Sequence, residues 1–321
     1  MKRLLSNHMA EVGLAVIIIA LMAYLASRQS LFLSAGTAAQ IFKYYSPMAM
    51  LALGMTFVIL TGGIDLSVGF VMMLVMFAIA APIRDNPALS PMLALGIGAV
   101  AAVGTGSLIG GTVAYLRIPA FIASLAAMVA AYGVTLILSQ NQSIGNLPDL
   151  VTWLGNTSFG AESFPLMMLV VIAAFVLGSL VLSKSAFGRH IYAVGSNREA
   201  ARLSGINVRR TEFLAYLILA LCVFVAAWMQ LGINRNADPK VALSDNLELN
   251  AIAIVVIGGT SLAGGRGTLV GTALGWLLLS LIFYGLPLIG INEPSYKKLI
   301  QGGIIFLGAV LDALQRRYSR H

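Results

Sequence analysis

Long apolar stretches recur along this 321-residue chain and constrain its fold more than any other feature of the sequence. A helix needs about 20 mostly apolar residues to cross the hydrocarbon core of a bilayer. Ten stretches qualify, near residues 11–26, 43–60, 66–82, 92–116, 119–138, 164–182, 211–231, 249–263, 268–285 and 299–313. The sequence therefore predicts an all-α polytopic membrane protein with about ten transmembrane helices. The stretches near 66–82 and 249–263 are short and flanked by glycine, which predicts broken or re-entrant helices there and a count of eight if neither crosses.

The composition indicates that most of the surface faces hydrocarbon rather than water. Apolar residues make up 59% of the chain and charged residues only 10%, with a mean hydropathy of +0.91. An average soluble domain has about 25% charged residues, so this chain has too few to cover a water-exposed surface. The composition also excludes a disordered chain, and the single cysteine, Cys222, excludes a disulfide scaffold.

The basic residues are distributed unequally between the two sides of the predicted bundle. The net charge of +8 would suggest nucleic acid as the partner of a soluble protein, but in a membrane protein it first indicates topology. If the N-terminus is cytoplasmic, 13 of the 20 Lys and Arg residues lie on the inner side and 7 on the outer side. The positive-inside rule therefore predicts that both termini are cytoplasmic, and we expect no nucleic acid partner.

Lys2 and Arg3 precede the first apolar stretch, a pattern that also begins secretory signal peptides. The stretch continues to Ser27 without a small-residue cleavage pattern, and nine further stretches follow it. We therefore expect the first stretch to be a retained transmembrane helix.

The hydrophilic parts of the chain are too short for a domain that binds nucleotide or carries out catalysis. The longest cytoplasmic one, about 183–210, is far below the size of a nucleotide-binding domain. The glycine cluster at 264–267 lacks the lysine and hydroxyl residue of a phosphate-binding loop. His8, His190 and His321 have no metal-ligand or catalytic-triad partners at useful spacing. The sequence thus predicts that this chain is not an enzyme and that any ATP is bound by another chain.

Asp65 is the most prominent ionisable residue between the predicted helices. It lies in the glycine-rich segment Thr61–Gly69, where the glycines end one helix and Asp65 is predicted to cap the next. The same turn is also a candidate for a transport pathway, because opened backbone inside a membrane protein can line a cavity. A second glycine-rich segment, Gly258–Gly265, resembles the first weakly.

Small residues at helical spacing predict close helix packing at two places. Gly106 and Gly110 form one such pair, and Gly267, Gly271 and Gly275 form a longer ridge. Packing inside the bundle is a sufficient explanation of both.

A short helix is predicted within the cytoplasmic loop, over the segment Ser196–Gly205. Ser196 and Glu199 fit a capping box, and Gly205 fits the residue that follows a helix. A helix this short is marginal alone, so other parts of the protein or a partner must hold it. It offers two arginines on one face and two apolar side chains, namely Arg198, Arg202, Leu203 and Ile206. These residues suit either anionic lipid headgroups or a cytoplasmic protein, and their pattern alone does not separate the two.

Four segments together resemble the ribose-type permeases of bacterial ABC sugar importers. They are Gly62–Gly69, Pro119–Leu125, the loop Gly188–Ile206, and Glu248–Gly265, and the resemblance runs in order over nearly the whole chain. One departure is Asn250, where that family commonly has aspartate, so a charge-dependent role there is in doubt while helix capping is still possible.

The resemblance implies a single permease domain over residues 1–321, in the bacterial cytoplasmic (inner) membrane, that imports a sugar or sugar-like solute by alternating access. It implies four kinds of partner: a cytoplasmic ATPase that binds ATP and Mg, a periplasmic or extracellular sugar-binding protein, a second permease subunit, and membrane lipid. No cofactor is expected in this chain. The alternative function is a stand-alone secondary carrier for a small polar solute, which usually needs several ionisable groups within the membrane.

The resemblance also implies where the coupling site lies, and a separate hypothesis places the pathway. Coupling to the ATPase is expected at Ser196, Asn197, Arg198, Glu199, Arg202, Leu203 and Gly205. As a hypothesis, the translocation pathway is placed near Asp65, Ser67, Phe121, Ser124, Asn250 and Ser261. No catalytic or metal-binding residue is expected.

Overall fold

The computed structural model describes residues 2–160, 164–240, 242–243 and 246–318. In chain order its elements are α1 (Lys2–Arg28), α2 (Ala35–Leu60), α3 (Val68–Asp85), α4 (Pro91–Ala114), α5 (Ala120–Ser139), α6 (Asp149–Asn156), β1 (Ser158–Phe159), β2 (Phe164–Pro165), α7 (Leu166–Lys184), α8 (Ala186–Ser196), α9 (Arg198–Leu203), α10 (Val208–Asn234), α11 (Leu247–Ile257), α12 (Leu269–Leu288) and α13 (Pro294–Tyr318). The two strands form a minimal antiparallel hairpin. The prediction of an all-α polytopic protein is confirmed apart from this hairpin.

Within the described ranges, eight helices are long and apolar enough to cross a membrane, namely α1, α2, α3, α4, α5, α7, α10 and α12. They coincide with eight of the ten predicted stretches. The stretch near 249–263 forms only the 11-residue α11, about 16 Å long, so the short helix expected there is confirmed. The stretch near 66–82 forms the unbroken 18-residue α3. The interruption lies ahead of this helix, in the non-helical residues 61–67, rather than inside it.

Helices α2 and α3 form the centre of the bundle, and α10 packs against both. In α2 and α3, 83% of the apolar window is buried, against 17% in α1 and α5. Because the outer helices are as apolar as the inner ones, their exposed faces carry aliphatic side chains such as Val100 on α4 and Ile137 on α5. Such faces match lipid or another apolar protein surface.

Small residues bring α4 against α10, as the sequence predicted. A Cβ atom on Gly110 would lie 2.8 Å from Tyr216 Cβ, and one on Gly106 would lie against Ala220 Cβ. The same test at Gly104, on the same helix, meets nothing within 4 Å. Glycine is therefore required where α4 meets α10, and again at Gly98, where a Cβ atom would collide with Ile79 of α3.

The predicted ridge at 267, 271 and 275 is correct for two of its three members. Gly271 and Gly275 lie on α12 and let the backbone of α11 approach at Gly258 and Ile254. Gly267 precedes α12 and has a φ of +146°, so its placement on a helical ridge is wrong. Gly267 instead lies in a turn with a positive φ, a backbone conformation that glycine adopts readily.

Three loops meet at one end of the bundle, which we call the α9 end. The Gly265 N–H donates to the Leu60 carbonyl at 2.9 Å, which joins the loop after α11 to the end of α2. The Tyr192 hydroxyl of α8 donates to the Gly267 carbonyl at 2.9 Å. The two glycine-rich segments and the predicted cytoplasmic loop are therefore neighbours in space.

Two further contacts join described segments at the opposite end of the bundle. Arg84, at the end of α3, donates to the Leu138 carbonyl of α5 at 3.0 Å. An isolated antiparallel bridge joins Ile144 to Ala237. The helices thus alternate in direction between the α9 end and this opposite end.

Candidate functional site

The predicted cytoplasmic loop is a pair of short helices, α8 and α9, joined at one residue. Asn197 caps α9, since its Oδ1 accepts from the Ala200 N–H at 2.9 Å. The capping box predicted from Ser196 and Glu199 is wrong, because Ser196 is the last residue of α8. Gly205 follows α9 with a φ of +82°, as predicted for the residue after a helix.

The two arginines of α9 have different partners. Arg198 Nη2 donates to Glu212 Oε2 of α10 at 2.8 Å, and the carboxylate side chain is only 7% exposed. Arg202 instead pairs with Glu199 on α9 itself, where both side chains are largely exposed. The guanidinium of Arg202 holds the pKa of Glu199 below its usual range. Arg198 therefore fastens α9 to the bundle, while Arg202 and Glu199 remain at the surface.

The outer face of α9 combines an apolar residue with a basic cleft. The Leu203 side chain is 76% exposed, which is unusual for leucine beside a well-packed bundle. Next to it, an open cleft of about 700 Å³ is lined by four arginines and by polar and aliphatic residues, namely Arg117, Arg198, Glu199, Arg202, Ile206, Asn207, Val208 and Arg209. This face is suited to a partner with an acidic surface and an apolar pocket.

The junction between α8 and α9 lies directly against both glycine-rich segments. A Cβ atom on Gly195 would collide with the Leu60 carbonyl oxygen and would lie 2.5 Å from the Gly265 N. Backbone from three separate parts of the chain meets here with no room for a side chain. Displacement of this junction must therefore shift the end of α2 and the loop after α11.

Asp65 has a different local role from the one predicted. Ser67, not Asp65, is the N-cap residue of α3, and its side chain makes no capping bond. The Asp65 Oδ1 accepts from the Ser67 N–H at 2.7 Å and from the Ser67 hydroxyl at 2.5 Å. Asp65, three residues before the helix begins, therefore closes a turn with Ser67, which is the usual local bond of a short carboxylate in a loop.

The structure brings together some of the six residues assigned to the pathway. Asp65, Ser67 and Ser124 are buried neighbours, since the Ser124 hydroxyl is 3.4 Å from the Ile64 carbonyl. Phe121, one turn earlier on α5, is 55% exposed.

The remaining two pathway residues belong to α11 and the loop that follows it. Asn250 is buried in the first turns of α11. Ser261 is buried at the α9 end, where its N–H donates to the Arg266 carbonyl.

Three further polar residues had no assigned role in the sequence analysis. Glu212 and Tyr216 lie one turn apart on the inner part of α10, and Glu248 lies in the first turn of α11. All three are buried. An ionisable residue inside or beside an apolar stretch was the signal that could have identified the two glutamates.

Tyr216 separates two spaces on the inner side of α10. Toward the α9 end, a cleft of about 370 Å³ reaches Tyr216 between the 61–63 turn and the residues around Arg198 and Glu212. Beyond Tyr216, a space of only about 10 Å³ is lined by Asp65 and Ser67 among other residues. That space holds about one water molecule, so a sugar does not fit in this conformation. The Tyr216 hydroxyl is buried without a hydrogen-bond partner among the described residues.

Comparisons with known proteins agree with this architecture. A family model described as the permease component of branched-chain amino acid transport systems matches residues 37–309. The ribose import permease protein RbsC of Bacillus subtilis is 37% identical over 273 residues, which are 84% of this chain and 81% of the relative. The fructose import permease protein FrcC of Rhizobium meliloti is 32% identical over 328 residues, 99% of this chain and 89% of the relative.

A third relative extends the range of solutes. The autoinducer 2 import system permease protein LsrC of Klebsiella pneumoniae is 37% identical over 328 residues, 100% of this chain and 91% of the relative. No solved structure matches the chain. The chain belongs to the family of permease components of branched-chain amino acid transport systems, and it is a membrane transport subunit, not an enzyme.

Proposed function

We propose that this protein is the membrane-spanning subunit of an ATP-driven importer for a sugar or sugar-like solute. The observation that carries the proposal is its similarity, over at least 84% of the chain, to import permeases named for ribose, fructose and autoinducer 2. The family speaks against the alternative of a stand-alone secondary carrier.

In this proposal the α9 end faces the cytoplasm of a bacterium, and the chain lies in the inner membrane as one permease domain with ten crossings. The excess of basic residues on the α9 side supports that orientation. Both termini are then cytoplasmic. The exposed apolar faces of the outer helices are available to lipid and to a second permease subunit.

A separate ATPase, which binds ATP and Mg, docks on the exposed face of α9. Leu203 supplies the apolar contact and the arginine-lined cleft supplies the charge. When the ATPase closes on ATP, α9 moves, and the contacts of Arg198 and Gly195 carry that movement to α10, α2 and the loop after α11. The pathway then alternates between inward and outward opening.

A sugar-binding protein delivers solute at the opposite end. A groove of about 400 Å³ there is lined by aliphatic residues and prolines together with amide, hydroxyl and basic side chains, including Arg84, Gln140, Gln142, Ser143 and Asn146. Such a surface offers hydrogen bonds to a polar partner. Solute released there enters the space beyond Tyr216 once α3, α4 and α10 separate.

Reconstitution tests this function. The permease is placed in proteoliposomes with D-ribose and D-fructose as probes, alone or with the ATPase and the binding protein. We expect uptake only in the complete assembly with ATP, and we expect vanadate to block it. Uptake by the permease alone, abolished by an ionophore, would instead establish the secondary carrier.

A further inference from the structure

Two helices begin inside the bundle, side by side. Gly69, in the first turn of α3, packs against the first turn of α11, since a Cβ atom there would lie 2.9 Å from Glu248 Oε2 and 3.1 Å from Leu247 Cβ. Residues 63–67 lead to α3 from the α9 end without helical structure. The starts of α3 and α11 therefore face one another across a close contact at Gly69.

This contact lies near the middle of the membrane. Helix α11 ends at Ile257, and the loop that follows it lies at the α9 end, where Gly265 bonds to Leu60. Glu248 is nine residues before Ile257, a rise of about 14 Å along a helix. Because the hydrocarbon core is about 30 Å thick, Glu248 lies about half of that thickness from the α9 end.

Glu248 is buried in this position without a complete set of partners. The residue is 8% exposed, and its Oε2 accepts no hydrogen bond from the described part of the chain. The N-cap residues Ser67 of α3 and Asn246 of α11 make no capping bond, and the Glu248 carboxylate is hydrogen-bonded by its own backbone N–H in the first turn of α11. A buried carboxylate oxygen that lacks a donor is costly. The burial of Glu248 therefore calls for an explanation other than the stability of the fold.

The chemistry of the contact matches a hydroxylated solute. An ionised carboxylate only accepts hydrogen bonds, whereas the first turn of a helix presents N–H donors and a partial positive charge. A hydroxyl group both donates and accepts, so neighbouring hydroxyls can bind the two kinds of group together. Discontinuous helices that begin near the membrane midplane form the solute sites of several transporter folds.

We propose that Glu248, together with the first turns of α3 and α11, forms a hydroxyl-binding subsite for a neutral polyol in transit. The subsite is closed in this conformation and opens when α3 and α11 separate. Because Gly69 has no side chain, the separated helices then provide a space into which the solute fits. This inference rests on the proposed import function, because it assigns the contact that the transported solute makes inside the membrane.

The test compares uptake of related sugars by the complete assembly in proteoliposomes. Wild type, Glu248→Gln and Glu248→Asp are each supplied with the same ATPase and binding protein. The probes are D-ribose and its 2-, 3- and 5-deoxy analogues, with D-fructose and its deoxy analogues as a second series. Since the binding protein is unchanged, any change in the ratio of uptake rates between a sugar and its analogue originates in the permease.

We expect Glu248→Gln to reduce uptake of the parent sugar about tenfold or more, as for the loss of a hydrogen bond to a charged group. For at least one deoxy analogue the reduction in uptake should be much smaller, so the ratio of uptake of the parent sugar to uptake of that analogue moves toward one. Glu248→Asp should keep part of the discrimination. Glu293→Gln removes an exposed carboxylate, so it is the matched control and should change neither quantity.

Equal losses for every analogue would show that Glu248 only supports the fold and would overturn the subsite. Unchanged uptake in Glu248→Gln would overturn it as well, while leaving the import function intact. Failure of the wild-type assembly to take up either sugar series would count against the import function itself, and the subsite would fall with it.

Discussion

Replacing Arg198 and replacing Glu212 should destabilise the attachment of α9 to the bundle by different amounts. The Arg198 side chain is 52% exposed and that of Glu212 is 7% exposed. Replacing Arg198 with alanine leaves a buried carboxylate unpaired, whereas Glu212→Gln leaves a cation that water can still solvate. The structure therefore predicts that Arg198→Ala releases α9 more than Glu212→Gln does.

The expected magnitude lies between two limits. Removing one partner of a fully buried pair costs about 3–5 kcal/mol, and removing one from an exposed pair costs about 0.2–1 kcal/mol. Since one partner is buried and the other half-exposed, we expect about 2 kcal/mol for Arg198→Ala, which corresponds to a roughly thirty-fold change in the opening equilibrium. For Glu212→Gln we expect about 1 kcal/mol or less.

Hydrogen exchange of the α9 amides measures this opening. The Ala201 N–H bonds to the Asn197 carbonyl and the Ser204 N–H to the Ala200 carbonyl, so both exchange when α9 unfolds. Arg198→Ala should accelerate their exchange about thirty-fold, and adding Glu212→Gln should recover most of that protection. The recovery follows because the double variant leaves no buried carboxylate.

Two results would refute this reasoning. Equal acceleration by Arg198→Ala in the wild-type and Glu212→Gln backgrounds would mean that the pair does not hold α9. Acceleration of the same size by Arg202→Ala would also contradict it, because Arg202 bonds only to Glu199 on α9 itself among the contacts of the described residues.

Three further predictions follow from the site and the bundle. Asn197→Ala should destabilise α9 by about 1 kcal/mol, measured by the same hydrogen exchange, whereas Ser196→Ala should have little effect. A larger effect of Ser196→Ala would instead identify Ser196 as the residue that caps α9. Gly106→Val should lower the melting temperature in detergent, since overpacking costs about 1–3 kcal/mol, whereas Gly104→Val should not, because its Cβ site is open. Leu203→Ser should weaken co-purification of the ATPase at unchanged melting temperature, and undiminished co-purification would place the docking face elsewhere.

The short helix beside the glycine turns shows how local pattern and tertiary contact divide the problem. The residues Ser196–Gly205 predict a short helix followed by glycine, and the structure contains one. The cap was assigned one residue too early because α8 extends through Ser196, and α8 is stabilised by packing that local pattern does not encode. The sequence also did not predict which face of α9 contacts the bundle, because the partner of Arg198, Glu212, lies 14 residues away in the chain.

The same division applies along the membrane. The ridge at Gly106 and Gly110 was predictable because both residues lie on one helix, where spacing alone defines a face. Gly267 was misplaced because a turn, not a helix, needed it. Glu248 was passed over because its significance depends on Gly69, a residue far away in the chain.

By itself, the sequence determined the class of this protein, the position of its long helices, and its likeness to sugar-import permeases. These follow from segment length, hydropathy and local motif, which are properties of neighbouring residues. Only the tertiary structure decided that Arg198 bonds to Glu212, that three loops meet at Gly195, and that two helices begin face to face at Gly69 and Glu248. Those are contacts between distant segments, selected by close packing and by the cost of burying unpaired polar groups, and periodicity along one helix does not specify them.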